Sequence, residues 1–140
     1  MSAAGSREPH YDMRTHPDLG LLILRVWFGG VFAFAHGLPK LQQLLGGDYG
    51  FPDPLGLGSG LSLGLAVFGE LICGLLIASG LFARLAALPA IFTMAIAAFV
   101  TYGADPFEQK ELALLYLVAF VAVMVAGPGR YSVDALRHRG

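Results

Sequence analysis

Four long stretches of this chain carry almost no charge, and they restrict what it can fold into. Between Asp18 and Lys40 only Arg25 and His36 interrupt the apolar residues, and between Asp53 and Arg84 the only charge is Glu70. Residues 85–104 and 112–129 carry no charge. At a rise of 1.5 Å per residue, each stretch approaches the roughly 30 Å hydrocarbon core of a bilayer as a helix. The runs lack two-residue alternation, which argues against strands.

The sequence therefore predicts an all-α, integral membrane four-helix bundle. Hydrophobic residues make up 56% of the 140 residues and charged residues 14%, whereas soluble domains carry about 25% charged residues. So much apolar surface cannot be buried inside a water-soluble domain of this size. We expect one transmembrane domain at 19–129, with helices near 19–38, 57–82, 85–103 and 109–127. A disordered polar tail at 1–18 and a basic tail at 130–140 flank it, and Ser132 suits the start of a short helix in the basic tail.

The first apolar run has some features of a cleaved secretion signal. Arg14 precedes it, and Ala33-Phe34-Ala35 resembles a cleavage site. The run is too long for a signal core and contains Arg25, so we expect it to be retained as a helix.

Lysine and arginine in the short loops predict the orientation. The end of the bundle that holds both termini carries all but two of these cations, and Lys40 and Lys110 lie at the other end. The sequence therefore predicts cytoplasmic N and C termini. The residues on the terminal side are Arg7, Arg14, Arg84, Arg130, Arg137 and Arg139.

Two ionisable residues fall deep inside the predicted membrane segments. Arg25 lies about 9 Å inside the terminal side at the helical rise, and Glu70 lies near the middle of the second helix. Their predicted depths differ by about one helical turn, which a long arginine side chain can span. We expect an intramembrane Arg25–Glu70 ion pair, either purely structural or functional, because ionisable groups in membranes are usually paired.

Three more polar residues share a level near the opposite edge. His36 and Lys40 close the first helix, and Glu111 opens the fourth. They predict an outward-facing polar pocket. A structural hydrogen bond for His36, an interfacial anchor for Lys40 and a favourable helix N-terminal charge for Glu111 are the simpler alternatives. Residues 46–60 form a Gly/Pro-rich loop on the same side, and Gly29, Ala33 and Gly37 recur at a spacing that allows close helix packing.

Several functional classes find no support in the sequence. A net charge of −1 offers no basic surface for nucleic acid. The single cysteine, Cys73, excludes an intrachain disulfide, a CxxC pair and a CxxCH haem attachment. No metal-spacing, flavin, phosphate-loop or Ser/His/Asp motif is present, and few further polar residues could line a transport path.

Taken together, four motifs resemble the DoxX family of small four-helix bacterial membrane proteins. They are Arg25 followed by FAHGLPKL, then FGELICGLLIASGLFARLAAL at 68–88, KELALLYL at the start of the fourth helix, and the closing GPGRYSVDAL. The resemblance runs from about Leu21 to Leu136. The family's recurring polar positions fall on Arg25, His36, Gly37, Lys40, Glu70, Arg84, Glu111, Gly127, Gly129, Tyr131, Ser132 and Asp134.

The resemblance implies a multi-pass protein of the bacterial inner membrane with a redox connection. Relatives include a subunit of a thiosulfate:quinone oxidoreductase, and others associate with thiol-handling or oxidant-defence enzymes. We therefore expect a membrane subunit of a redox complex, with a quinone as possible cofactor and lipid, a redox protein or a second copy of the chain as partners. The alternatives are a non-catalytic anchor that docks a soluble redox partner through Arg84, Arg130, Tyr131 and Asp134, and a small-molecule or proton permease centred on Glu70. Whether the chain is an enzyme stays open.

Overall fold

The structure, a computed structural model, describes residues 15–140 and is all-helical there, with no strand. Four helices are long and apolar enough to cross a membrane, which confirms the predicted fold class. They are α1 (His16–Leu45), α2 (Ser59–Ser79), α3 (Ala83–Thr101) and α4 (Phe107–Ala126). A short helix, α5 (Val133–Arg137), follows, and the side chain of Ser132 caps it by accepting a hydrogen bond from the Ala135 N–H.

Because the helices alternate in direction, the bundle has two distinct ends. We call the end formed by residues 46–58 and 102–106 the loop end. The end formed by residues 80–82 and 127–140 is the terminal end. Apolar side chains cover the outer surface, including Trp27, Phe34 and Phe99, and these side chains contact lipid when the helices span a membrane.

Small residues set the register between α1 and α2. A Cβ atom on Gly29 would lie 2.7 Å from the Gly74 carbonyl oxygen, and one on Gly37 would lie 2.5 Å from the Leu71 backbone nitrogen. Both positions therefore require glycine, because the two backbones touch there. These contacts place Leu71, and with it Glu70, level with the loop-side half of α1.

Aromatic side chains fill the centre of the bundle between α1 and α4. The rings of Phe32 and Tyr116 lie 4.9 Å apart, and the rings of Phe32 and Phe120 are also 4.9 Å apart. On α3 the facing positions are the small, buried Ala86, Ala87 and Ala90. The large rings on one side thus pack against alanines on the other.

Helix α1 is longer at both ends than the sequence predicted. Residues 15–18, assigned to the disordered tail, are helical, while residues 1–14 lie outside the described part of the chain. The predicted end near 38 is also wrong, since α1 continues through Pro39 to Leu45. The reason is local: Pro39 follows a π-helical segment, Phe32–Gly37, and stands in the first turn of the α-helical stretch after it. Prolines are tolerated inside membrane helices where a local π-helical adjustment of this kind accommodates the missing N–H.

Four segments of the long helices are π-helical. They are Arg25–Gly29, Phe32–Gly37, Phe68–Ile72 and Ala97–Thr101. Wide turns of this kind often occur at functional sites, and three of these segments contain Arg25, His36 and Glu70.

Side chains of the C-terminal segment complete the terminal end. Gly80, at φ +74°, ends α2 in a left-handed conformation. The carboxylate of Asp134 then accepts hydrogen bonds from the Phe82 and Ala83 N–H groups, at 2.9 and 3.2 Å, and so caps the start of α3. Asp18 accepts one from the Arg130 N–H at 2.9 Å.

Candidate functional site

A cavity of about 360 Å³ lies in the loop-side half of the bundle. Its walls come from all four long helices and are mostly apolar, with Phe32, Leu65, Phe92 and Leu112 among them. Such a volume falls within the range of small-molecule sites, roughly 300–1,000 Å³, and the mixture of apolar walls with a few polar groups is typical of them.

The polar end of the cavity is an ion pair between α1 and α2. The Lys40 ammonium donates a hydrogen bond to Glu70 Oε2 at 2.6 Å, and the Glu70 side chain is only 6% exposed. Lys40 Nζ also lies 3.5 Å from the carbonyl oxygen of His36, one turn earlier. The pair therefore fixes a positive and a negative group beside the cavity.

The predicted ion pair between Arg25 and Glu70 is wrong. Arg25 lies beside Ile77 and Ala78 at the far end of α2, and Glu70 is seven residues, or roughly 10 Å, further along that helix. This separation is about two turns rather than the predicted one. The Gly29–Gly74 and Gly37–Leu71 contacts impose it.

Two aromatic residues face the cavity beside the ion pair. The rings of His36 and Tyr116 meet edge to face, with their centroids 5.6 Å apart, and both residues line the cavity. Among the hydrogen bonds of the described residues, none involves the Tyr116 hydroxyl or the His36 imidazole. These groups are therefore available to a bound molecule as donors.

The loop at residues 46–58 covers the cavity from the loop end. Five of its residues line the cavity, namely Phe51, Pro52, Pro54, Leu55 and Leu57. Asp53 fastens this cover, since its carboxylate accepts from the Ser62 hydroxyl at 2.8 Å and from the Leu57 and Gly58 N–H groups at 2.9 Å each. The hydrogen bond from Ser62, and then those from backbone N–H groups, lower the pKa of Asp53 below its ordinary value.

Glu111 does not join His36 and Lys40, contrary to the predicted pocket. It is exposed and borders a separate shallow groove between α1 and α4, next to Leu24 and Phe28. Glu111 lies on the side of α4 that faces away from Tyr116, five residues on. The shared level was inferred from depth alone, whereas the cavity requires the right side of the helix as well.

Arg25 belongs to the terminal end and is fully buried. Its guanidinium donates to the carbonyl oxygens of Ile77 at 3.2 Å, Ala78 at 3.0 Å and Tyr131 at 2.6 Å. The first two belong to the last turn of α2, where carbonyl groups lack the usual i+4 helical partner, although the Gly80 N–H also bonds the Ile77 carbonyl oxygen at 3.1 Å. Arg25 thus joins α1, α2 and the C-terminal segment through the backbone.

The sequence profile of the DoxX family matches residues 20–103, more than half of the chain. The chain belongs to the DoxX family. Comparisons with curated proteins and with solved structures return no significant match.

The DoxX match covers α1, α2 and α3 almost completely and ends before α4. It therefore includes Arg25, His36, Lys40 and Glu70. Tyr116, Glu111 and the GPGRYSVDAL segment lie beyond it, so the aromatic wall that α4 adds to the cavity is known from the structure alone.

The residues predicted to dock a partner differ in whether their side chains are exposed or already bonded within the fold. Arg84, Arg130 and Tyr131 are exposed at the terminal end of this DoxX protein, and the Arg130 guanidinium lies 5.9 Å from the centre of the Tyr131 ring. The Asp134 carboxylate, in contrast, is already bonded to the start of α3. Asp134 is therefore part of the fold.

No group of three or more His, Cys, Asp or Glu side chains in residues 15–140 is placed to hold a metal ion. Cys73 is a buried free thiol in the core.

Sequence reasoning missed the assignment of Glu70 and Tyr116 to the cavity, and it left open whether the loop at 46–60 is a functional lid or a linker. One signal for Glu70 was available, because the small-residue row of Gly29, Ala33 and Gly37 on α1 fixes the register to α2. Tyr116 carried no such signal, since its position depends on how α4 packs.

Proposed function

We propose that this DoxX protein is a membrane subunit of a redox complex and that it binds a quinone-type molecule in the loop-end cavity. The observation that carries this proposal is the Lys40–Glu70 pair at the polar end of a cavity whose other walls are mostly apolar. An apolar molecule that carries hydrogen-bond acceptors fits this combination better than a fully polar solute does.

The polar groups suit the two carbonyl oxygens of a quinone ring. The Lys40 ammonium is a strong donor, and the His36 imidazole on α1 and the Tyr116 hydroxyl on α4 are further donors that line the cavity. The ring itself can pack among Phe32, Phe92 and Tyr116, where aromatic faces are favourable neighbours. Donors from α1 and α4 would hold such a ring in one orientation.

Quinone reduction consumes two protons, and the residues beside the cavity can carry protons. Lys40, Glu70 and His36 are all ionisable, and Lys40 is 24% exposed, so the pair has some contact with solvent. The chain has one cysteine and no haem, flavin or metal motif of its own. We therefore assign the electrons to a partner protein and the binding and protonation of the quinone to this subunit.

The proposed location in the membrane rests on the distribution of arginines between the two ends of the bundle. The arginines at the terminal end favour a cytoplasmic location for that end under the positive-inside rule. The cavity then opens in the outer half of a bacterial inner membrane.

Copurification and binding test this function. Protein extracted in mild detergent should retain a quinone that mass spectrometry of its lipid extract identifies, and decylubiquinone should bind saturably to protein in nanodiscs. Tyr116→Phe removes one hydroxyl and should weaken binding about five- to tenfold, the value of one hydrogen bond. Tyr131→Phe, at the other end of the bundle, is the matched control.

Either of two results would end the proposal: no saturable quinone binding by the wild-type protein, or equal affinities for the Tyr116 and Tyr131 variants.

A second candidate function is a non-catalytic anchor for a soluble redox enzyme. The exposed Arg84, Arg130 and Tyr131 at the terminal end favour it. A redox enzyme that copurifies with the wild type, and is lost in Arg84→Glu or Arg130→Glu while quinone is absent throughout, would favour this function over the first. Substrate uptake by proteoliposomes would instead point to a permease.

A further inference from the structure

Helices α2 and α3 touch at the depth of Gly69. A Cβ atom on Gly69 would collide with the Thr93 hydroxyl oxygen and lie 3.6 Å from the Pro89 carbonyl oxygen. At this point the backbone of α2 at Gly69 therefore contacts the Thr93 side chain of α3. Glu70 is the next residue toward the terminal end, and most of the cavity lies on the other, loop side of this contact, where Ser62, Leu65 and Ala66 line it.

Beyond this contact the two helices pack on different neighbours. The loop-side half of α2, Ser59–Val67, packs on the last turns of α1, Leu38–Leu45, whereas the last turn of α3, Ala97–Thr101, packs on α4. Helices α2 and α3 therefore diverge toward the loop end. The divergence leaves a gap between them at the side of the bundle.

The cavity reaches the bundle surface through this gap. Leu65 of α2 and Phe92 of α3 both line the cavity, yet they are 47% and 59% exposed. Their side chains thus have one face toward the cavity and the other toward the surroundings of the bundle. In a membrane those surroundings are lipid chains.

The axial route from the loop end is covered. Asp53 ties the loop to the first turn of α2 through Ser62, and Tyr49 lies 3.5 Å from a Cβ position on Gly60. Pro52 and Pro54 flank Asp53 and restrict the backbone there. The loop therefore lies over the cavity and is fastened to α2, with the half-exposed Leu55 and Leu57 as its outer wall.

We infer that the ligand is a single-tailed amphiphile that enters sideways from the lipid through the gap between α2 and α3. Its polar ring lies against Lys40, His36 and Tyr116, and its apolar tail passes between Leu65 and Phe92 into the bilayer. This inference rests on the proposed function, to which it adds the tail and the route. An apolar tail fits this gap because the side chains that line it are apolar, and beyond Leu65 and Phe92 the tail extends into lipid.

Tryptophan substitutions at two leucines of α2 test the route. Leu65 lines the gap, whereas Leu61, one turn earlier and 56% exposed, does not line the cavity. In nanodiscs, Leu65→Trp should slow the association of a tailed quinone at least about fivefold, because access through the gap limits the rate. Leu61→Trp should leave the rate unchanged. Association should follow the mole fraction of quinone in the lipid rather than its aqueous concentration.

The tail is tested with the same protein. A tail-less benzoquinone supplied from water should bind with similar rates in Leu65→Trp and Leu61→Trp, and more weakly than decylubiquinone in the wild type. Equal rates for the tailed quinone in the two tryptophan variants would overturn the lateral route. Ile96→Trp, on the α3 side of the gap, serves as a second variant if Leu65→Trp does not fold.

A measurement without quinone separates failure of the route from failure of the proposed function. In a Cys73→Ala background, a spin label on Ala66→Cys, in the cavity wall, should collide with lipid-dissolved oxygen more often than with a water-soluble nickel complex. A label on Ala87→Cys, which is fully buried and outside the cavity, should collide with neither. Frequent collision of the Ala66 label with the nickel complex would show an opening to water and overturn the route. Lipid access without quinone binding would retain the route and reject the quinone.

Discussion

The two ends of the bundle each bury a charged side chain, but they bond it in different ways. At the terminal end, Arg25 donates to three backbone carbonyl oxygens from two segments. At the loop end, Glu70 meets one side chain, Lys40, and borders a cavity. A charge whose bonds all go to backbone carbonyl oxygens, as those of Arg25 do within residues 15–140, holds a fold together. A charge such as Glu70, which within the same residues is bonded to one side chain beside a cavity, can also exchange that partner for a ligand.

The same difference appears in how space is filled around the two charges. Near Arg25 the chain packs closely, and a Cβ atom on Gly80 would lie 2.5 Å from the Arg25 guanidinium. Near Glu70 the helices diverge and leave about 360 Å³. Burial of an ionisable residue in a membrane therefore does not by itself indicate a functional site, although such residues are often functional.

The largest effect is expected from Arg25→Met. This change leaves three carbonyl groups without their charged donor and should lower the free energy of unfolding by about 3 kcal/mol or more. Unfolding by heat or by SDS titration in mixed micelles measures the loss. Arg84→Met, which changes an exposed arginine at the same end, should cost less than about 1 kcal/mol. Equal stabilities of the two variants would contradict the structural role of Arg25.

A double-mutant cycle on Lys40 and Glu70 should give a smaller effect on stability and a larger one on binding. Lys40→Met leaves a buried carboxylate unpaired and should cost about 2 kcal/mol. Adding Glu70→Gln should recover part of that loss, with a coupling energy of about 1–2 kcal/mol.

Quinone binding should stay lost in the Lys40/Glu70 double variant even where its stability recovers. This outcome distinguishes a site from a structural pair. If the double variant bound quinone with wild-type affinity, the Lys40–Glu70 pair would have only a structural role, like that of Arg25.

The smallest effect concerns the cover of the cavity and its dependence on pH. The pKa of Asp53 is lower in the folded protein than its ordinary value of 3.8, chiefly because the Ser62 hydroxyl bonds the carboxylate. The attachment of the loop is therefore fully present above about pH 4 and is lost as the pH falls through the lower, folded pKa. Hydrogen exchange at the Leu57 and Gly58 N–H groups, corrected for intrinsic rates, should show protection at pH 7 that disappears in acid.

Asp53→Asn removes the charge without changing the size of the side chain. It should reduce this protection already at pH 7, while the midpoint of global unfolding changes little. Protection that is equal in the variant and the wild type would show that Asp53 does not hold the loop.

The four membrane spans could be predicted because each is a run of apolar residues bounded by charges, which is a local property of the chain. The partners of Arg25 and Glu70 could not be predicted from depth, because they depend on a register set by Gly29 and Gly37. An error of one turn in that register led to a predicted ion pair between Arg25 and Glu70, whereas Arg25 is bonded to backbone carbonyl oxygens. His36 and Lys40 line the cavity, as predicted. Their placement could be predicted because it depends on the helical phase of a single segment. Tyr116 and the loop around Asp53 require the packing of distant segments, which no short pattern contains.

The π-helical segment Phe32–Gly37 helps to determine which side of α1 carries Lys40. Each residue of an α-helix turns the chain by about 100°, so residues four apart drift around the axis by about 40°. Gly29 and Gly37 nevertheless both face α2, because the wide turn contains an extra residue and cancels the drift. If the same residues were wound as a regular α-helix, the drift over the eight residues from Gly29 to Gly37 would rotate Lys40 by about 80°, away from Glu70. The direction of the ammonium group therefore depends on the winding of the helix as much as on the identity of residue 40.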